Sequence, residues 1–73
     1  MVQVIEIFRT NIDCPDKAAT LSAAINGLFP HYRINFDLQD CDKILRIVAQ
    51  TVDQQAVIQL AGSLGMNVEV LPG

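Results

Sequence analysis

The feature that most constrains the fold of this chain is a regular alternation of apolar and polar residues near its middle. In "HYRINFDLQ" (31–39) every second residue is apolar, namely Tyr32, Ile34, Phe36 and Leu38. Alternation of this kind is typical of a strand with one face on a core and the other in water. The polar turn "QDCD" follows, and "KILRIVAQ" (43–50) is then predicted to be the returning strand of a hairpin.

A helix is predicted on each side of this hairpin. The first covers 15–28: Asp13 or Cys14 can cap it, and Pro15 suits a first turn because its missing N–H would have had no partner there. The second covers 53–64, with Asp53 as N-cap and Gly65 just beyond its end. Apolar residues recur at helical spacing in both, at Ala18, Leu21, Ile25 and Leu28 and at Ala56, Val57, Leu60, Ala61 and Leu64.

Two further strands complete the element order βαββαβ. They are "VQVIEIFRT" (2–10), which is short and rich in β-branched residues, and "MNVEVLPG" (66–73). Right-handed crossovers place both helices on one face of a four-stranded antiparallel sheet, so the predicted fold class is α+β, a ferredoxin-like sandwich. With 73 residues, the chain is expected to form a single domain, 1–73.

Composition excludes several classes of function. The formal net charge is −3 and the five basic residues are dispersed, which argues against nucleic acid as a partner. No apolar stretch is long enough to span a bilayer, and the N-terminus lacks the basic region of a signal peptide. Two cysteines are too few for a disulfide scaffold. We therefore expect a cytoplasmic protein with reduced thiols and no membrane partner.

The predicted topology brings three connections to one end of the molecule. They are residues 11–16, 39–43 and 64–67, so Cys14, Cys41 and Met66 should lie near one another. The only histidine, His31, falls at the opposite end, which leaves no Ser-His-Asp or Cys-His arrangement. The sequence therefore predicts a protein that is not an enzyme.

Three segments resemble the heavy-metal-associated domains of copper chaperones and P-type ATPases. "IDCPDKAATLSAAI" is similar to their metal-binding segment, Met-x-Cys-x-x-Cys followed by a helix. "INFDLQ" and "TVDQQAVIQLAGSLGMNVEV" resemble a later strand and the C-terminal part of that family. The resemblance covers nearly the whole chain and implies the same ferredoxin-like fold and a site for a soft metal ion such as copper.

Position by position, the resemblance implies a degenerate metal motif. Cys14 stands at the first metal-binding cysteine, whereas Lys17 stands at the second. Ile12 takes the place of a buried methionine, and Met66 stands where an aromatic residue or a lysine usually follows the glycine. Because Cu(I) prefers two thiolates and the ammonium of Lys17 repels a cation, we expect no metal cofactor.

Three interpretations of Cys14 stay open. It can be a small residue left at a helix start. Its thiol can be tuned by the helix dipole and by Lys17, one turn along, which would make a redox-active protein. It can also bind copper or zinc together with Cys41 or Met66, as a metal-binding or metal-transfer protein.

The sheet suggests a different working surface. The first strand and "ILRIV" are apolar on both faces, although a lone domain needs only one apolar face. We expect an exposed apolar patch on the helix-free face, formed by Val2, Val4, Phe8, Ile44 and Val48. The leading prediction is a non-catalytic interaction protein that acts by protein–protein or self-association through this face.

Overall fold

A computed structural model describes residues 3–39 and 41–71, and its elements follow the predicted order βαββαβ. The elements are β1 (Val4–Thr10), α1 (Pro15–Leu28), β2 (Arg33–Asp37), β3 (Ile44–Ala49), α2 (Gln54–Ser63) and β4 (Val68–Val70). The helix positions agree with the predicted ranges to within one residue at each end. No helix in the described ranges is long and apolar enough to cross a membrane.

The four strands form one antiparallel sheet in the order β2-β3-β1-β4. The first strand, β1, is therefore internal and pairs with both β3 and β4. This strand order, with a helix between β1 and β2 and another between β3 and β4, is the ferredoxin-like arrangement, which confirms the predicted fold class.

The hydrophobic core lies between one face of the sheet and the two helices. Its fully buried large side chains come from both layers, and they are Phe8, Ile12, Leu21, Ile25, Leu45, Ile47 and Val57. The apolar residues of β2, Ile34 and Phe36, pack against this core from the edge of the sheet. The alternation that predicted the hairpin therefore identified the inward face of β2 correctly.

The two helices begin differently. Asp53 caps α2 because its Oδ1 accepts a hydrogen bond from the backbone N–H of Ala56 at 3.1 Å. Cys14 occupies the N-cap position of α1 but makes no side-chain capping hydrogen bond. The start of α1 therefore depends on Pro15, whose fixed φ is already suited to a helix.

A Schellman motif ends α2. Gly65 has a φ of 80°, its N–H donates to Gly62 O at 3.0 Å, and the N–H of Met66 donates to Ala61 O at 2.9 Å. Met66 and Ala61 are both buried, which supplies the apolar contact that accompanies this motif. Met66 thus belongs to the helix ending, and β4 is confined to Val68–Val70.

The last residue of each predicted helical stripe lies outside the core. Leu28 is 61% exposed, and Leu64 is also exposed. At the end of α1 the chain leaves the helix, and Phe29 packs against the core instead, with its ring stacked on that of Tyr32 at 4.5 Å. Helical spacing stops predicting burial at the residue where the helix ends.

Candidate functional site

Hydrogen bonds at one end of the molecule tie the end of β1 to the β2–β3 connection, and the β1–α1 connection to the α2–β4 connection. The N–H of Thr10 donates to the carbonyls of Asp42 and Lys43, at 3.1 and 3.2 Å. The N–H of Asn11 donates to Asn67 O, and the N–H of Asn67 donates in return to Asn11 Oδ1 at 3.0 Å. The predicted convergence of these connections is confirmed.

Thr10 fixes the backbone that leads to Cys14. Its buried hydroxyl donates to Lys43 O at 2.6 Å and accepts from the N–H of Ile12 at 3.1 Å. Ile12 is itself fully buried. The segment between β1 and α1 is therefore held both by the hairpin and by the core.

The sulfur atoms at this end differ in their accessibility. Cys14 is half-buried and Cys41 is exposed, whereas Met66 is only 7% exposed and packs in the core. Lys17 is exposed in the first turn of α1. Among the described residues, no group of three or more His, Cys, Asp and Glu side chains could hold a metal ion. Two interpretations of Cys14 stay predictions: a metal site that it forms with Cys41 or Met66, and the tuning of its thiol by Lys17.

His31 lies in the connection between α1 and β2, as the topology predicted. It is exposed and makes an edge contact with the ring of Tyr32, with ring centroids 5.1 Å apart. The hydroxyl of Tyr32 accepts a hydrogen bond from the N–H of Asp53 at 2.8 Å, which ties this end of the molecule to the start of α2.

The prediction that Val4 and Phe8 lie on the helix-free face is wrong. Phe8 is opposite Leu45 and Val4 is opposite Ala49, and all of these except Val4 are buried. Side chains alternate along a strand, so Val4 and Phe8 share the helix-facing side of β1. The aromatic ring fills the core, where it buries the most apolar surface. Val2 lies outside the described residues.

Glu6 lies on the same helix-facing side, between Val4 and Phe8. It is half-buried, and its Oε2 accepts a hydrogen bond from Gln54 Nε2 at 2.7 Å. Gln54, the first residue of α2, thus gives the carboxylate of Glu6 a hydrogen-bond partner. This contact lets a charged residue occupy a position that would otherwise hold an apolar one.

The helix-free face carries a different set of apolar residues. Ile5, which is 60% exposed, lies opposite Val48, and Ile7 follows Ile5 on the same face. The register of β1 with β4 places Leu71 opposite Ile7, and the N–H of Leu71 donates to Ile7 O at 2.8 Å. We call Ile5, Ile7, Val48 and Leu71 the helix-free patch. Ile44 lies on this face too, beyond Arg46.

All three arginines of the chain lie on the helix-free face. Arg33 is opposite Val48, Arg46 is opposite Ile7, and Arg9 is opposite Ile44.

The three arginines differ in their ion pairing. Arg9 is 3.7 Å from a carboxylate oxygen of Asp42 and 3.5 Å from one of Glu69. Arg33 and Arg46 are exposed, and neither forms an ion pair with any residue in 3–39 or 41–71.

A separate open groove of about 390 Å³ lies beside β4 and α2. Ile58, Gly62, Met66 and Val68 contribute to its apolar part, and Asn11 and Asn67 contribute to its polar part. Neither cysteine nor His31 lines it, although Asn11, Met66 and Asn67 belong to connections at the end of the molecule that carries Cys14.

Ile5, Ile7 and Leu71 were missed by reasoning from the sequence. The two faces of the first strand each carry one charge, Glu6 on one and Arg9 on the other, so charge alone could not orient it. The sequence of the hairpin does indicate its orientation. Arg46 alternates with Leu45 and Ile47, so Ile44 and Val48, which alternate in step with Arg46, are expected to face away from the core.

Comparison with protein-family models, with curated proteins and with solved structures finds no match for this chain.

Proposed function

We propose that this protein is a non-catalytic interaction module that binds a partner protein through the helix-free face of its sheet. The observation that carries the proposal is the helix-free patch, in which Ile5 is 60% exposed beside Val48 and Ile7. No element of the described residues covers this face. Ile7, Val48 and Leu71 around Ile5 are half-buried, and all four apolar side chains gain free energy when the remaining water is removed from them.

Other exposed apolar residues do not form a comparable surface. Leu28 and Leu64 are at the ends of different helices, and single exposed apolar side chains are ordinary features of protein surfaces. The helix-free patch differs because β-sheet register holds its members side by side. A rigid sheet needs no reorganisation before it binds, which lowers the cost of association.

A different protein fits this face better than a second copy of the chain. A two-fold dimer through the patch would bring two copies each of Arg33 and Arg46 into one interface. Among the described strand residues, the acids on this face are Asp37 on β2 and Glu69 on β4, and Glu69 already lies 3.5 Å from Arg9 of the same copy. Like charges that face each other in an interface disfavour association. We therefore assign the face to a partner of another kind.

The resemblance to heavy-metal-associated domains is part of this proposal, with the metal function lost. Two observations support it: Ile12 is fully buried, as the methionine at that position of the motif would be, and Cys14 directly precedes α1. Lys17 replaces the second thiolate and is exposed to solvent, where it keeps its ammonium group hydrated. The family fold then serves as a scaffold for the sheet surface.

The test is site-specific photocrosslinking in cells of the source organism. A photoreactive amino acid replaces Ile5 in one variant and Leu28 in a matched control, since the two residues are almost equally exposed, at 60% and 61%. We expect one protein to be crosslinked from position 5 and not from position 28. That protein is then purified and titrated against the wild type, Ile5→Glu and Leu28→Glu by calorimetry.

Ile5→Glu should weaken binding at least tenfold, because it places a carboxylate in the apolar contact, whereas Leu28→Glu should leave it unchanged. Equal binding by both variants would show that the helix-free face is not the working surface. Sedimentation of the wild type across a concentration range completes the test. A dimer that is lost in Ile5→Glu would identify the partner as a second copy and contradict the assignment to another protein.

A further inference from the structure

We infer that the partner bound by the helix-free patch presents an acidic, aliphatic segment, whose carboxylates pair with Arg33 and Arg46. This inference rests on the proposed function and specifies the chemistry of the partner. It follows from the positions of the charges that border the patch and from two of these charges having no ion-pair partner among residues 3–39 and 41–71.

The two arginines border the patch on the β2–β3 side. Arg33 lies directly opposite Val48, and Arg46 lies directly opposite Ile7 and two residues from Val48 on the same face. Directly opposite residues have Cβ atoms about 5 Å apart, and diagonal neighbours remain within reach of a long side chain. A segment lying on Ile5, Ile7 and Val48 therefore passes within reach of both guanidinium groups.

Arg33 and Arg46 differ from Arg9 because their charges form no ion pair with another described residue. Arg9 is already shared between Asp42 and Glu69. Arg33 and Arg46 have no ion-pair partner in the described ranges, although Asn35 and Asp37 lie nearby on β2. An unpaired guanidinium beside an apolar surface favours a carboxylate, which it can bind through two parallel hydrogen bonds.

The residue types fit a protein interface. Arginine is enriched in interfaces, whereas lysine is depleted, and here all three arginines are on the helix-free face while Lys17 lies on α1 and Lys43 in the β2–β3 turn. Lys43 also donates from Nζ to Leu38 O at 3.1 Å, so it contributes to the turn itself. The arginines thus lie on the proposed surface, and the lysines lie outside it.

A nucleic acid would also supply negative charge, but the face lacks what a nucleic acid needs. Bases bound on a sheet stack on aromatic rings, but all four Phe and Tyr residues, Phe8, Phe29, Tyr32 and Phe36, pack in or against the core. The net charge of the chain is −3, which opposes binding to a polyanion. An aliphatic surface with two arginines matches a polypeptide that carries valine, leucine or isoleucine together with acids.

The test is selection from a random peptide display library. The intact chain is immobilised as wild type, as Arg33→Gln/Arg46→Gln, and as Ile5→Glu, and the enriched peptides are sequenced. We expect the wild type to enrich peptides with aliphatic residues and at least two acids, and the double arginine variant to lose the enrichment for acids. The best peptide is then titrated against single variants by fluorescence anisotropy.

Arg46→Gln should weaken that peptide about twofold to fivefold, as expected for an exposed ion pair. Lys17→Gln is the matched control, since it removes one positive charge from α1, and it should leave the affinity unchanged. Raising the salt concentration should weaken binding to the wild type more than binding to Arg46→Gln.

The outcomes separate this inference from the proposed function. Enrichment of neutral or basic peptides that still depends on Ile5 would overturn the acidic partner and leave the binding face in place. Peptides that bind Ile5→Glu as well as the wild type would count against the face itself. A single-stranded RNA that binds more tightly than the best peptide, or a library that yields no peptide, would also overturn the inference.

Discussion

Ile5 and Phe8 lie three residues apart on β1 and face opposite sides of the sheet. Ile5 is opposite Val48 on the helix-free face, whereas Phe8 is opposite Leu45 in the core. The central strand therefore serves two roles at once, because one row of its side chains stabilises the fold and the other row is available for binding.

Truncation of these two residues should separate the two roles. Phe8→Ala should lower the free energy of unfolding by about 3–5 kcal/mol, since it leaves a cavity where a fully buried ring has been. Ile5→Ala should change it by less than about 1 kcal/mol, because most of that side chain is already in water. Urea denaturation followed by circular dichroism measures both. Equal losses would mean that Ile5 is covered in the folded protein.

Gly65 and Gly62 provide a second matched pair, three residues apart at the end of α2. Gly65→Ala should destabilise the protein by about 1–2 kcal/mol, because the φ of 80° forces Cβ against the carbonyl oxygen. Gly62→Ala should stabilise it by about 0.5–1 kcal/mol, since residue 62 is helical and a Cβ there meets nothing within 4 Å. Thermal unfolding of the two variants should shift in opposite directions, and a shift in the same direction would contradict the Schellman ending.

Thr10 should be among the most sensitive polar residues of the chain. Thr10→Val keeps the shape of the side chain but removes both hydroxyl hydrogen bonds and leaves Lys43 O and the N–H of Ile12 without that partner. We expect a loss of about 1–3 kcal/mol. Thr20→Val is the control, because the hydroxyl of Thr20 is exposed on α1 and bonds only to Asp16 O. If both variants unfold at the same urea concentration, the hydroxyl of Thr10 contributes nothing to stability.

The degenerate metal motif gives a prediction of gained function. Reduced wild-type protein should release Cu(I) to a chromophoric chelator, because Lys17 supplies an ammonium where a second thiolate is needed. Lys17→Cys should retain one equivalent, since residue 17 is in the first turn of the helix that Cys14 precedes. The control is Cys14→Ser/Lys17→Cys, which should release the metal. Retention by the wild type that disappears in Cys14→Ser would show that the native chain binds copper.

The sequence predicted the layers of this fold because its strongest signals are local. Alternation in 31–39 and the apolar spacing of 15–28 each depend on a period within one element, and both agree with the structure. The end of α2 was also predictable, because a glycine followed by an apolar residue is the composition that a Schellman motif requires. Such signals need no knowledge of the residues that pack against them.

The orientation of β1 could not be predicted in the same way. This strand is apolar on both faces, so the row that faces the helices is decided by pairing with β3, which lies more than thirty residues further along the chain. A shift of one residue in that register would exchange Phe8 for Ile7 in the core. The composition of the helix-free patch therefore depends on the long-range pairing of β1 with β3, and local periodicity carries no information about that pairing.

The central position of β1 also determines when the sheet can form. This strand precedes its two neighbours in the sequence, and β4, the last of the four, contributes only Val68–Val70 to the pairing. During synthesis, β1 is made before either of its neighbours, so both of its edges stay unpaired until β3 and then β4 have been made. Non-local pairing of this kind slows folding, and unpaired edges favour aggregation. A chain that stops before residue 68 should therefore fold with one side of its central strand open to other chains, whichever surface it uses for binding.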